Sequence, residues 1–544
     1  MYSTKKNVLL TAAALKAYNI RHVVLSPGAR NAPLVHTLAI DPFFCAHSVV
    51  DERSAAYFAL GLIQKLRQPV AICCTSGTAL LNYGPAIAEA FYQELPLLVL
   101  SADRSPAWIG QMDGQTLPQV NLFASITHKS VHLPEVHVPE DEWFCRRLLH
   151  EALLALAHNG PVHVNIPLSE PLFNFSAPAL PPFAPMEYVH TQSHALPGIG
   201  AQWLQYEKRM VVVGQLPQNH TLAPLLHAAG QSSVLLGEHL ANLPGTALGS
   251  FDQLLASTPK NDLPGLAPEL LVTCGGHIVS KHLKQFLRTH PPKAHWHISP
   301  SGAVIDLFQA LTRVVQVPLH TFWQELTSQL PAQSALPPFM QHWHNQAKSL
   351  CTAPAQCTGQ NSKTWGEKDA VGAMLAQLPQ GSALHLANSS SVRQAQCFAL
   401  PPGVEVLCNR GTSGIEGAIS TAIGYASVHE GLTFLLIGDL SFLYDINALA
   451  LCTPPANLRI LLMNNGCGGI FYALPGLEKS SMLDPYIAAQ HTRQGKPWAM
   501  AAGCTYMHAQ CAETLAAQLP EFTSAHNAPM LLEVLVPHSK PSPA

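Results

Sequence analysis

The sequence predicts an α/β protein of three domains, each a parallel sheet flanked by helices, and three observations lead there. Apolar, β-rich runs alternate with helical patterns along the whole chain, the order that builds parallel sheets. At 544 residues the chain exceeds what one hydrophobic core organises. Two stretches, "APALPPFAPMEYVHTQSHALPG" and "LPAQSALPPFMQHWHNQAKSLCTAPAQCTGQNSKTW", interrupt the alternation with the proline-dense composition of linkers. The expected divisions are residues 1–178, 179–340 and 341–544.

The elements follow in order. "NVLLTAAALKAYN" reads as an amphipathic first helix; Lys5-Lys6 ahead of it imitate an export signal, but the apolar stretch is short, broken by Lys16, and runs straight into "RHVVLS". The first domain then offers the strands "HVVLSPG", "HSVVDER", "PVAICCTSGT", "LPLLVLSADR" and "PVHVNIPLSEP". The second offers "RMVVVGQLP", "SSVLLGEHL", "ELLVTCGGHIVSKH" and "AHWHISPSG", and the third "ALHLANSSSVR", "GVEVLCNRGTSGIEG", "LTFLLIGD", "LRILLMNN" and "PMLLEVLVP". Those of the first domain are buried-type runs that stop at a glycine or polar turn, and those of the second are strands with loops at their carboxyl ends.

Composition narrows the function. Hydrophobic content of 48% against 12% charged residues describes a globular chain, and a net charge of −3 with no Lys/Arg block argues against nucleic acid as a partner. No apolar run approaches bilayer length, so no membrane is expected. The 13 cysteines form no CxxC pair and the 28 histidines no HExxH, which fits a reducing, cytoplasmic setting without a zinc centre.

The stretch "FLLIGDLSFLYDINALALCTPPANLRILLMNNGCGGIF" carries the sharpest chemical signal. A strand over 434–437, a helix over roughly 442–452 and a strand over 458–463 form a βαβ unit, whose right-handed crossover brings both carboxyl ends to one sheet edge. Asp439 and Asn465 then meet. A carboxylate, an amide oxygen and a free backbone carbonyl suit a hard cation such as Mg²⁺, which commonly brings phosphates with it. The glycines after Asn465 let backbone N–H groups approach an anion. Cys467 would be a soft ligand through sulfur, so only its carbonyl is a candidate. The plainer alternative is an Asp439 helix cap and an ordinary Asn464-Asn465-Gly466 turn.

"GDLSFLYDINALAL…NNGCGGIF" resembles the thiamin-diphosphate-dependent enzyme family, and within it the synthases of menaquinone biosynthesis. The likeness extends through "LSPGARNAPL", "DER", "TSGTA", "SADRSP", "DGQTLPQVNLFA", "NSSSVR" and "NRGTSGIEG", and is weakest in the middle domain. It implies the thiamin-diphosphate-binding fold, with thiamin diphosphate and Mg²⁺ (or Mn²⁺) as cofactors. Matched residue by residue, Glu52 is the catalytic acid that hydrogen-bonds the cofactor's aminopyrimidine. Ser389 lies by the diphosphate, Ile415 props the bent cofactor, and Asp439, Asn465 and the Cys467 carbonyl hold the metal.

The implied reaction decarboxylates 2-oxoglutarate and adds the remaining succinic semialdehyde unit to isochorismate. Arg30, Arg104, Gln115, Lys281, Arg393, Arg410, Ile470, Phe471 and Leu474 match the family's substrate pocket. Arginines suit it because both substrates carry two carboxylates, which guanidinium groups grip in pairs. Three positions depart from common family patterns: Leu440 replaces the third residue of Gly-Asp-Gly, as it does in the synthases themselves, Ala29 a serine, and His282 an arginine. The family places its cofactor between subunits, so a homodimer or a pair of dimers is implied. The rival readings are another thiamin-dependent carboligase or 2-oxoacid decarboxylase, a nicotinamide oxidoreductase (no GxGxxG follows the first strand), and a non-catalytic paralogue, which should lack Glu52.

Overall fold

The computed structural model describes residues 1–157, 160–188, 195–243, 245, 247–331, 335–352 and 365–536. Seventeen strands form three sheets among these residues. The first contains β1 (His22–Leu25), β2 (Cys45–Ser48), β3 (Val70–Cys74), β4 (Leu97–Asp103), β5 (Lys129–His132) and β6 (Val162–Pro167) in the order β2-β1-β3-β4-β6-β5. The second has β7 (Arg209–Val213), β8 (Val234–Gly237), β9 (Leu270–Cys274), β10 (Ala294–Ile298) and β11 (Arg313–Val315) in the order β11-β10-β9-β7-β8. The third comprises β12 (Ala383–Leu386), β13 (Glu405–Leu407), β14 (Thr433–Gly438), β15 (Leu458–Asn464), β16 (Thr505–Ala509) and β17 (Met530–Leu535), ordered β13-β12-β14-β15-β17-β16.

Every pairing between these strands is parallel. Central strands such as β3 and β15 are buried along their whole length, which is why they read as continuous apolar runs. Strand order reverses between β1 and β3, between β7 and β9, and between β12 and β14. Such switch points open a crevice at the strands' carboxyl ends where ligands bind.

Three expectations about elements need correction. The first helix, Lys6–Ala17, is not amphipathic: Asn7, Val8 and every residue from Leu10 to Leu15 are buried. Its polar groups are satisfied inside, Asn7 donating to the Pro167 carbonyl at 2.9 Å and the Thr11 hydroxyl to the Asn7 carbonyl at 2.8 Å. The single helix expected over 442–452 is two, Asp439–Tyr444 and Asn447–Leu451. Asp445 breaks it because its buried carboxylate accepts from the Ser420 N–H and hydroxyl instead. The second proline-rich stretch contains a helix, Pro338–Thr352, whose Phe339, Met340 and Trp343 join the core of the second sheet. The expected division after residue 340 therefore falls inside that helix, while 189–194 of the first stretch and 332–334 and 353–364 of the second lie outside the described residues.

The first and third sheets share one core through two crossed helices, Glu52–Leu66 and Ala418–Ala426. Two glycines let the backbones touch. A Cβ on Gly61 would stand 2.0 Å from the Thr421 carbonyl oxygen, and one on Gly424 2.0 Å from that of Phe58. The helix bearing Glu52 is thereby fixed against the domain bearing Asp439. Among the described residues no helix is long and apolar enough to cross a membrane.

Candidate active site

The parallel β14/β15 register, Gly438 opposite Met463, sets Asp439 and Asn465 at neighbouring strand ends. Their oxygens converge on one donor. The Cys467 N–H lies 3.2 Å from Asp439 Oδ2 and 3.0 Å from Asn465 Oδ1, and Asp439 Oδ2 also accepts from the Gly466 N–H at 2.7 Å. Gly466 adopts φ +74°, and a Cβ there would meet the His491 carbonyl oxygen at 2.8 Å, so the turn requires glycine. Burial pushes the Asp439 carboxyl up to about 6. A dication would reverse that penalty by favouring the carboxylate. The buried Cys467 thiol is pushed up to about 11, which leaves its carbonyl as the oxygen on offer; that carbonyl accepts from the Gly469 N–H at 3.0 Å.

Ser389 and Asn388 follow β12 across the switch point from Asp439. Ser389 has φ +73° and ψ −124°, a region that non-glycine residues avoid and that clusters at functional sites. Asn388 holds the loop together, donating to the Asn409 and Gly414 carbonyls at 2.7 and 2.6 Å while its Oδ1 accepts from Arg410 at 2.8 Å. Ile415 is 36% exposed between glycines, an apolar side chain left uncovered at the site. Ile470, Phe471 and Leu474, all half-buried, lie on the turn that follows Cys467.

A second group gathers at the carboxyl edge of the first sheet. Asp51, not Glu52, caps the helix, its Oδ1 accepting from the Ser54 N–H at 3.0 Å. Glu52 is left half-buried near Cys74 and Tyr83, and burial lifts its carboxyl above the ordinary value. Beside it, the buried hydroxyls of Thr75 and Ser76 have no protein partner. Arg30 is buried, donates to the Leu168 carbonyl at 2.8 Å and pairs with Glu170 at 3.1 Å. Arg104 is gripped by the following loop through the Gly114 carbonyl (2.9 Å) and Asp113 (3.0 Å), which brings Gln115, at φ +56°, to the same place.

The expected residues thus form two half-sites. Within the chain they are linked through the neighbours of Glu52, where Asp51 accepts from Asn447 at 2.7 Å and Arg53 donates to the Tyr444 carbonyl at 2.7 Å, and through Glu89, which accepts from the Gly411 and Thr412 N–H groups at 2.7 Å each. The four arginines divide accordingly, Arg30 and Arg104 with Glu52, Arg393 and Arg410 with Ser389.

Sequence reasoning missed five contributors. Glu367 accepts from the Asn465 amide, and His491 Nε2 stands 3.4 Å from Asp439 Oδ2. Asn388 is the loop's organiser, and Gln119 ties the Gly77 N–H (2.7 Å) to Asn165 (2.8 Å) under the first half-site. Lys284 is the fifth. Lys281 and His282 are exposed, and His282 is turned to Asp252 at 3.1 Å. Lys284, one turn on, is half-buried, donates to the Ile278 carbonyl at 2.7 Å and lies within the field of Arg410 and Arg393. Burial first, then the neighbouring Arg410, holds both Lys284 and Arg393 below their ordinary values. Among the described residues no carboxylate pairs with Lys284, Arg393 or Arg410 at ion-pair distance. The buried Glu238 carboxylate lies within the field of all three and offsets part of their charge without contacting them.

These residues fit a metal-bound diphosphate cofactor. One carboxylate and one amide oxygen converge, glycine backbone surrounds them, and the buried Asn409 Oδ1 and Arg410 Nε have no protein partner. Among the described residues no three His, Cys, Asp or Glu side chains cluster as metal ligands; the expected set needs only one.

Comparison with known proteins agrees. The family "Thiamine pyrophosphate enzyme, N-terminal TPP binding domain" matches residues 8–123, and "Middle domain of thiamine pyrophosphate" matches 186–386. A 2-succinyl-5-enolpyruvyl-6-hydroxy-3-cyclohexene-1-carboxylate synthase of Bacteroides thetaiotaomicron is 46% identical over 98% of this chain and 96% of its own. Those of Phocaeicola vulgatus and Desulfotalea psychrophila are 46% identical (99% and 97% covered) and 38% identical (96% and 97% covered). The chain belongs to this family of synthases, within the thiamin-diphosphate-dependent enzymes.

Proposed function

We propose that this chain decarboxylates 2-oxoglutarate and adds the four-carbon remainder to isochorismate, giving 2-succinyl-5-enolpyruvyl-6-hydroxy-3-cyclohexene-1-carboxylate and CO₂. The observation that carries the reading is the convergence of Asp439 Oδ2 and Asn465 Oδ1 on one N–H at adjoining strand ends. Asp439, Asn465 and the Cys467 carbonyl hold Mg²⁺ or Mn²⁺, and Ser389 with the 466–469 backbone receives the diphosphate. When bound, thiamin diphosphate supplies a nucleophilic carbon and an electron sink for decarboxylation.

The protein does the rest. Glu52, with its carboxyl raised by burial, holds and exchanges a proton at the aminopyrimidine. Arg393, Arg410 and Lys284 grip substrate carboxylates from one side; Arg30, Arg104 and Gln115 do so from the other. Each charge-assisted contact contributes about 1.5–3 kcal/mol before desolvation offsets it. Lys284 takes over the cationic contact that His282, turned to Asp252, does not make. Ile415 and Phe471 supply apolar walls. Because the residues form two half-sites, a homodimer in which each subunit completes the other's site is the assembly proposed.

The test is a two-substrate assay with thiamin diphosphate and Mg²⁺, following CO₂ release and loss of the isochorismate chromophore. Turnover that requires both substrates and both cofactors supports the reading. Turnover of pyruvate-like monocarboxylates in preference to 2-oxoglutarate refutes it.

A further inference from the structure

Glu367 opens the helix Glu367–Leu375, yet it does not cap it; Asp369 does, accepting from the Gly366 N–H at 3.0 Å. The half-buried Glu367 carboxylate turns the other way, and its two oxygens take two donors from different elements. Oε1 accepts from Asn465 Nδ2 after β15, and Oε2 accepts from Gln394 Nε2 on the helix that follows Ser389. The opposite end of the Asn465 amide, Oδ1, points to the Cys467 N–H that it shares with Asp439.

An asparagine amide is nearly symmetric in shape and can turn by half a revolution, exchanging an oxygen for an NH₂ group. Only the oxygen end is of use to a cation. A carboxylate accepts and never donates, so Glu367 can face only the nitrogen end, and it thereby fixes the oxygen toward Asp439. We propose that Glu367 is the positioning residue that sets the Asn465 amide for metal binding, and that through Gln394 it ties this orientation to the Ser389 loop. The inference rests on the cofactor reading given under Proposed function. Groups that orient metal ligands in this way are worth about 10–100-fold in affinity.

Glu367→Gln is the informative change. One amide oxygen must then serve two donors, and the replacement can itself offer NH₂ to Asn465, which permits the turned amide. Titration calorimetry of thiamin diphosphate and Mg²⁺ into the apoprotein should show uptake weakened about 10–100-fold, with the thermal midpoint of the apoprotein unchanged. On an Asn465→Asp background, whose two like oxygens leave no amide to orient, the same change should not weaken uptake. Equal affinity of E367Q and parent overturns the inference, as does an equal loss on both backgrounds. If the parent itself shows no magnesium-dependent uptake, the cofactor reading falls first and this inference with it. Should E367Q not fold, Gln394→Ala, which leaves the Asn465 contact but frees the other oxygen, should weaken uptake in the same direction, and unchanged affinity there counts against the inference.

Discussion

Glu52 and Glu367 share a local arrangement: in each case a neighbouring aspartate caps the helix and frees the glutamate for another task. For Glu52 the proposed task is proton exchange. Glu52→Gln keeps the size and the helix but removes the acid, so kcat should fall about 10²–10⁴-fold while calorimetric cofactor uptake persists. Undiminished turnover would remove Glu52 from that role. Asp445 offers a test of stability at the same scale. It is fully buried and its carboxyl is pushed up to about 6 from 3.8, burial outweighing the two Ser420 donors. A raised folded value favours the folded state below the unfolded value, and that contribution is lost as pH rises from 3.8 through about 6. Asp445→Asn, which stays neutral, should therefore gain in melting temperature relative to the parent as pH is raised from about 4 to about 7. A difference independent of pH contradicts this. The strand-end placement of Asp439, Asn465 and Ser389, and the meeting of the first two, were legible residue by residue. Glu367 and His491 were not, because neither follows a strand, and Lys284 was passed over for Lys281 because only its burial, one turn along the same helix, sets it apart.

Among elements, the crossing of the helices Glu52–Leu66 and Ala418–Ala426 is the most demanding contact. Gly424→Ala would drive a methyl into the Phe58 carbonyl, which is backbone and cannot swing aside. The expected cost is about 1–3 kcal/mol or more, read as a lower urea midpoint; an unchanged midpoint would show that the helices can part freely. The buried strands were legible as apolar runs. β5, β11 and β16 were not, and all three lie at sheet edges, where half-exposed backbone carries residues such as Lys129, Arg313 and His508. The helix broken at Asp445 escaped for another reason. Its periodicity continues, and only a tertiary partner, Ser420, interrupts it.

At the scale of the whole molecule, three parallel sheets each carry one switch point, and the first and third bear the two proposed half-sites at their strand ends. Composition and alternation made the three-sheet plan legible. The sharing of one core by the first and third sheets was not, since it depends on two glycines 363 positions apart meeting in space. The proposed chemistry depends on the clasp formed by Asp439 and Asn465. Titrating thiamin diphosphate into the apoprotein with and without Mg²⁺, for the parent and for Asp439→Asn, tests it most directly. Saturable uptake only with the metal, lost in the variant, is the predicted result; uptake without metal, or uptake unchanged in Asp439→Asn, would contradict it.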